Sequence, residues 1–179
     1  MRKGTRILKV LFPLLLGGCW NPFCPPTDPP PPAFSVFEPI TPERVLSNLV
    51  VAYQTRDIDL YLSCLADSFK FHFDVEDQGL EDMLRALGMK EDWWGKTEER
   101  LSTESLLNSL QEEGVVVTPL FTILSQDTIG SDLSVLYTRY TFDPPVIEGL
   151  TVQGTATFHI QKDPQDHWQI AEWWDRVSP

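Results

Sequence analysis

The chain has few of the residues on which most recognisable chemistry depends: three cysteines and three histidines in 179 residues. It contains no G-x-S-x-G, no phosphate-cradling G-x-x-x-x-G-K and no H-E-x-x-H, which speaks against a nucleophile-elbow hydrolase, a P-loop nucleotide enzyme and a zinc protease of the HExxH kind. His159 and His167 flank one turn with no third ligand near in sequence, and His72 with Asp74 on one strand face reads as a solvated pair, so no metal or cofactor is expected. Basic residues are scarce too, fourteen against twenty-six acids. Nucleic acid and anionic lipid surfaces are poor partners for such a chain. After residue 18 no apolar run is long enough to cross a bilayer.

The N-terminus carries the first positive signal. Arg2, Lys3, Arg6 and Lys9 precede an apolar run to Gly18, with no acid among them. A positive start followed by an apolar stretch too short to span a bilayer is the pattern of a secretory signal, expected over residues 1–18. Leu16-Gly17-Gly18-Cys19 resembles a bacterial lipobox. The resemblance implies cleavage before Cys19, a diacylglycerol thioether on its sulfur and a further acyl chain such as palmitate on its amine. Two or three chains make a firm membrane anchor, at about 0.8 kcal/mol per buried CH₂. Trp20 in place of an aspartate after that cysteine resembles the outer-membrane sorting rule. The expected location is therefore the cell envelope, lipid-anchored in the outer membrane and facing the periplasm.

From Trp20 to Pro42, nine of twenty-three residues are proline, which rules out helix or central strand. Residues 19–41 read as a lipidated cysteine and a tether, and residues 42–179 as one domain with a real core. Loss of the signal leaves ten basic residues against twenty-six acids, a net charge of −16. A disulfide between Cys24 and Cys64 is permitted in an oxidising compartment. Against it, Cys64 lies in "LYLSCLADSF", where a small buried residue suits an apolar helix face.

Thr41-Pro42-Glu43 is a helix start, and Val45, Leu46, Leu49, Val50 and Tyr53 continue it as one apolar stripe. Asp57 caps a second, shorter helix. Phe69, Phe71 and Phe73 alternate with polar residues as one buried strand face. Helical spacing returns from Asp92 to Glu113, with Leu101, Leu106, Leu107 and Leu110 apolar and Gly114 as the stop. Strands are expected at 115–124, 132–142, 149–162 and 167–177, separated by "SQDTIGSD", "DPPVIEG" and "KDPQD". Helices leading into a strand meander predict an α+β fold, with the N-terminal helices packed on one face of a strongly bent antiparallel sheet.

This order resembles the nuclear transport factor two-like superfamily, the cone fold of SnoaL-like cyclases, ketosteroid isomerase and scytalone dehydratase. "VVAYQTRDIDLYLSCLADSFKF" looks like its first two helices and first strand, and "HWQIAEWWD" like its closing strand. In the isomerase branch the resemblance implies a pocket aspartate on the first strand and a tyrosine on the first helix. Phe73 and Leu49 stand at those positions, so no catalytic residue is assigned. Family members also pair through the open sheet face, which implies a homodimer as one arrangement.

The residues themselves suggest a pocket. Val152, Ala156, Phe158 and Ile160 share one face of a closing hairpin, and an odd-numbered loop brings them together with Trp168, Ile170 and Trp174. Glu172 is then expected either among Phe158, Ile170 and Trp174, pointing into the cone, or at a frayed sheet edge, meeting water. The doublets Trp93-Trp94 and Trp173-Trp174 each offer one ring to the core. Tyr137 and Arg139 share a strand face. The expected lining is Phe71, Phe73, Trp94, Tyr137, Arg139, Trp168, Glu172 and Trp174. The function this lining implies is non-catalytic: binding of a small apolar or amphipathic ligand or of a protein partner. The alternatives are a dehydratase, cyclase or hydrolase using Glu172 with Arg139 or Tyr137, and a structural dimerisation module.

Overall fold

The computed structural model describes residues 34–73, 93–143 and 152–177. Cys19, Cys24, residues 1–18 and most of the proline run lie outside the described residues, as does Asp74. Pro42, whose ring pre-sets a helical φ, opens α1 (Pro42–Thr55), and Val45, Leu46, Leu49, Ala52 and Tyr53 are buried along it. The helix ends on Arg56 in the left-handed region, φ 55°. The side chain of Arg56 donates from Nη2 to the carbonyl of Val115 at 2.8 Å, tying the end of α1 to the approach to the third strand. Asp57 caps α2 (Ile58–Ser63) by accepting from the Leu60 N–H at 2.9 Å. Cys64 comes next, free and buried, its thiol pushed up to about 12 by burial.

The remaining elements among the described residues are β1 (Leu65–His72), β2 (Trp93–Gly95), α3 (Lys96–Glu112), β3 (Thr118–Ile129), β4 (Leu133–Asp143), β5 (Gln153–Lys162) and β6 (Trp168–Val177). The strands form one mixed sheet in the order β2-β1-β6-β5-β4-β3. The expectation of a purely antiparallel sheet is corrected at one pair, since β1 and β6 run parallel. Parallel neighbours need a long crossover, and everything between β1 and β6 supplies it. The inner face carries Phe69, Ile170, Trp173, Phe158, Ile160, Leu136 and Tyr140, packed in one core with Val45, Leu49 and Tyr61 from the helices.

Three further expectations change. The helix expected from Asp92 starts only at Lys96, because Trp93–Gly95 pair with His72–Lys70 as a strand, and Leu101 is 64% exposed. "SQDTI" belongs to β3: the turn is confined to Gly130–Asp132, where Gly130 takes φ +67°. Finally, Phe34–Ile40, which composition places in the tether, is held against the domain. Buried Asn48 bonds both backbone groups of Phe37, and the Trp168 N–H donates to the Pro39 carbonyl at 2.8 Å.

The closing hairpin has the expected odd loop, Asp163–His167, whose Asp163 carboxylate accepts from the N–H groups of Gln165 and His167. A β-bulge at Ala171 then interrupts β6. Ile160 pairs with Ile170, but His159 pairs with Glu172, so Ala171 is the extra residue. Beyond it the alternation reverses, and Trp173 rather than Glu172 and Trp174 faces the core.

Candidate functional site

The inner side of the domain contains an acid that its sequence neighbourhood conceals. Glu99, in the first turn of α3, lies in the charged stretch "KTEER" yet is only 5% exposed. Its Oε1 accepts the hydroxyl proton of Tyr61 in a short hydrogen bond and that of Thr103 at 3.1 Å. Its Oε2 accepts the indole N–H of Trp94 at 2.7 Å. Burial raises the Glu99 carboxyl above its ordinary value, and these three donors offset only part of that shift. Burial, reinforced by the Glu99 charge, also raises Tyr61 and Tyr53, whose rings meet edge to face at 5.6 Å. A second polar pair lies on the same side of the sheet. Tyr140 donates to Asp175 Oδ2 at 3.2 Å, and burial together with the aspartate charge raises its hydroxyl.

Beside Glu99 the aromatic residues form a continuous wall. Phe71 contacts Phe73, Trp94 and Trp173 at ring-centroid distances of 5.4–5.5 Å, Phe73 meets Trp94 edge-on at 4.6 Å, and Trp173 leans on Phe158 at 4.8 Å. Phe71 and Trp94 are half-buried, so the wall reaches the surface there. Of the eight residues expected to line a pocket, Phe71, Phe73 and Trp94 are thus brought together. Trp168 is buried in the same core at the start of β6, with the Lys162 ammonium 5.3 Å from its ring centre.

The other four are on the opposite, outer face of the sheet, which corrects their assignment to the pocket. Glu172 accepts from the Trp174 indole at 3.1 Å, pairs with His159 Nδ1 at 3.1 Å and lies 4.0 Å from His72 Nε2. The Trp174 ring stacks on His72, 3.6 Å between centres and nearly coplanar. Tyr137 and Arg139 are exposed two strands away on β4. The physical reason for Glu172 and Trp174 is the bulge at Ala171. For Tyr137 and Arg139 it is the register itself, which gives the inner face of β4 to Leu136, Thr138 and Tyr140. Tyr53, Tyr61, Glu99, Tyr140 and Asp175 are site residues that sequence reasoning misses. The spacing Glu99, Thr103, Leu107, Leu110 is a helical stripe that would reveal Glu99, did its charge not suggest solvent.

No family model matches this sequence, and no curated protein matches it. Solved structures do. A Nostoc punctiforme protein of unknown function with a cystatin-like fold superposes with a TM-score of 0.54 at 12% identity, covering 76% of this chain and 88% of its own. An NTF-2 like protein of unknown function from Shewanella oneidensis gives 0.55 at 13%, over 74% and 93%. An NTF2-like protein of unknown function from Pseudomonas putida gives 0.52 at 14%, over 76% and 83%. At such identities the likeness is one of fold: a mixed α+β domain with a curved six-stranded sheet, as in NTF2-like and cystatin-like proteins. It carries no activity with it.

Proposed function

We propose that this protein is a lipid-anchored envelope protein whose domain binds, without chemical conversion, a small and largely apolar ligand against the wall of Phe71, Phe73 and Trp94. One observation carries the choice of binding over catalysis. Both oxygens of Glu99, the buried acid next to that wall, are already engaged by Tyr61, Thr103 and Trp94. An acid that already holds three donors is poorly placed to take a proton from a substrate. The half-buried rings offer area that a ring or short chain would remove from water, at about 25 cal/mol per Å². Anchoring through Cys19, in the outer membrane and facing the periplasm, is supported by the charge order of residues 1–18 and by "LGGC".

The test uses the full chain recovered from membranes into nanodiscs, with 1-naphthol as probe. Binding raises the unfolding temperature of the wild type and leaves that of Phe71→Ala unchanged. No rise in the wild type overturns the ligand reading. Loss of the protein from the detergent phase on Cys19→Ser supports the anchor, and unmodified Cys19 in the wild type overturns it.

A second reading, an enzyme, has one observation in its favour, the Tyr140–Asp175 hydrogen bond on the inner side. Conversion of a bound ring compound that is lost in Asp175→Asn would establish it. The pairing of Glu172 with Arg139 or Tyr137 gains no support, because Glu172 bonds His159 and Trp174 instead.

A further inference from the structure

The outer face of the sheet collects positive charge in a chain that has little of it. Its residues lie in rows across β4, β5, β6 and β1. Arg139, Thr155 and Arg176 form one row; Tyr137, Thr157, Trp174 and His72 the next; Val135, His159, Glu172 and Lys70 the third. These rows hold two arginines and a lysine against one acid, with Asp127 of β3 beyond Val135. The whole chain has a net charge of −12. Lys70 is placed over the Trp93 ring at 4.5 Å. Among the described residues no ion pair or side-chain hydrogen bond engages Arg139 or Arg176, and both are exposed.

The neighbouring row supplies rings. Trp174 is 41% exposed and Tyr137 40%. The indole is held in place, stacked on His72 and hydrogen-bonded to Glu172. Thr157 on the strand between is small, so nothing bulky stands between the two rings. Two inter-strand gaps separate them by about 9–10 Å at the backbone. The two arginines flank Thr155 at the same separation, one step along the strands. A fixed exposed indole stacks on flat faces, and a guanidinium fork binds a carboxylate.

We infer that this face is a second binding site, for an oligosaccharide that carries a sparse carboxylate: Arg139 and Arg176 take the acid across Thr155, and Trp174 and Tyr137 stack the sugar rings. The strong negative charge of the rest of the chain repels a dense polyanion such as nucleic acid and leaves an isolated carboxylate as the ligand that the local charge favours. An extended run of sugar rings also offers flat faces to Trp174 and Tyr137, which an acidic peptide does not. The site is independent of the inner aromatic wall and of the ligand bound there.

The experiment titrates the full chain in nanodiscs with an aldotetraouronic acid, three xylose rings bearing one glucuronate, and with xylotetraose as its neutral counterpart. Tryptophan fluorescence and calorimetry report binding. The acid binds and the neutral sugar binds at least tenfold more weakly. Arg139→Gln and Arg176→Gln, surface changes that leave folding intact, each weaken the acid about tenfold and leave the neutral sugar unaffected. Trp174→Phe retains binding of both, and Tyr137→Ala weakens both. Equal binding of the two sugars, no binding of either, or indifference to both arginine changes overturns the proposal. So does a homodimer in sedimentation that protects Tyr137 and Trp174, or preferential binding of single-stranded DNA.

Discussion

The side chain of Asn48 closes a ring of two hydrogen bonds on the backbone of Phe37, accepting its N–H at 2.8 Å and donating to its carbonyl at 2.7 Å. An amide is the side chain that can do both at once, and Asn48 does so from a buried position on α1, 4% exposed. The segment before the first helix is thereby part of the folded body. Asn48→Ala should cost about 2 kcal/mol, two net hydrogen bonds, read as a shift in urea midpoint. Removal of residues 20–33 should leave thermal unfolding unchanged, while removal of residues 20–40 should lower the unfolding temperature. Identical unfolding of these two deletions would show that the docked segment adds nothing.

Glu99 makes stability depend on pH. Its carboxyl is raised above the unfolded value of 4.5 by burial, so the folded state holds that proton more tightly than the unfolded state does. The contribution is fully present below the unfolded value and is lost as pH rises through the higher folded value. Glu99→Gln removes the titration, and its carbonyl can still accept the Trp94 indole N–H while its amide donates to the Tyr61 and Thr103 hydroxyls. Relative to wild type the variant should therefore become progressively more stable as pH rises. Urea unfolding at a series of pH values from 4 to 8 measures this, and a constant gap would mean that Glu99 titrates as it does in the unfolded chain.

Gly154 tolerates nothing larger. A Cβ there would sit 2.6 Å from the Arg176 carbonyl oxygen and 2.7 Å from the Tyr140 hydroxyl. Gly154→Ala must push β5 from β6 or displace Tyr140 from Asp175, at about 1–3 kcal/mol. Ser substitution at exposed Gln153, one residue earlier, should be nearly silent. Calorimetry of the two variants separates a steric cause from a general weakness of β5.

The fold is legible in the sequence where periodicity and burial agree. The stripe of α1, the cap at Asp57 and the odd loop before Trp168 can be read because each depends on residues close in the chain. One residue of bulge moves Glu172 from its expected place: without Ala171 as an extra, regular pairing from Ile160 and Ile170 would put it opposite Phe158 and inside. No local signal marks a bulge at an alanine, since the compensating partners are on other strands. Glu99 escapes notice for the opposite reason. Its neighbours Glu98 and Arg100 are exposed, and its donors Tyr61 and Trp94 come from elsewhere in the fold.

The docked segment also decides where mechanical load enters the domain. A pull arriving from the N-terminal side reaches Phe37 and Pro39 before it reaches α1, and passes to Asn48 and to the first N–H of β6. Tension on that segment would open the Phe37–Asn48 ring before unfolding the helix behind it.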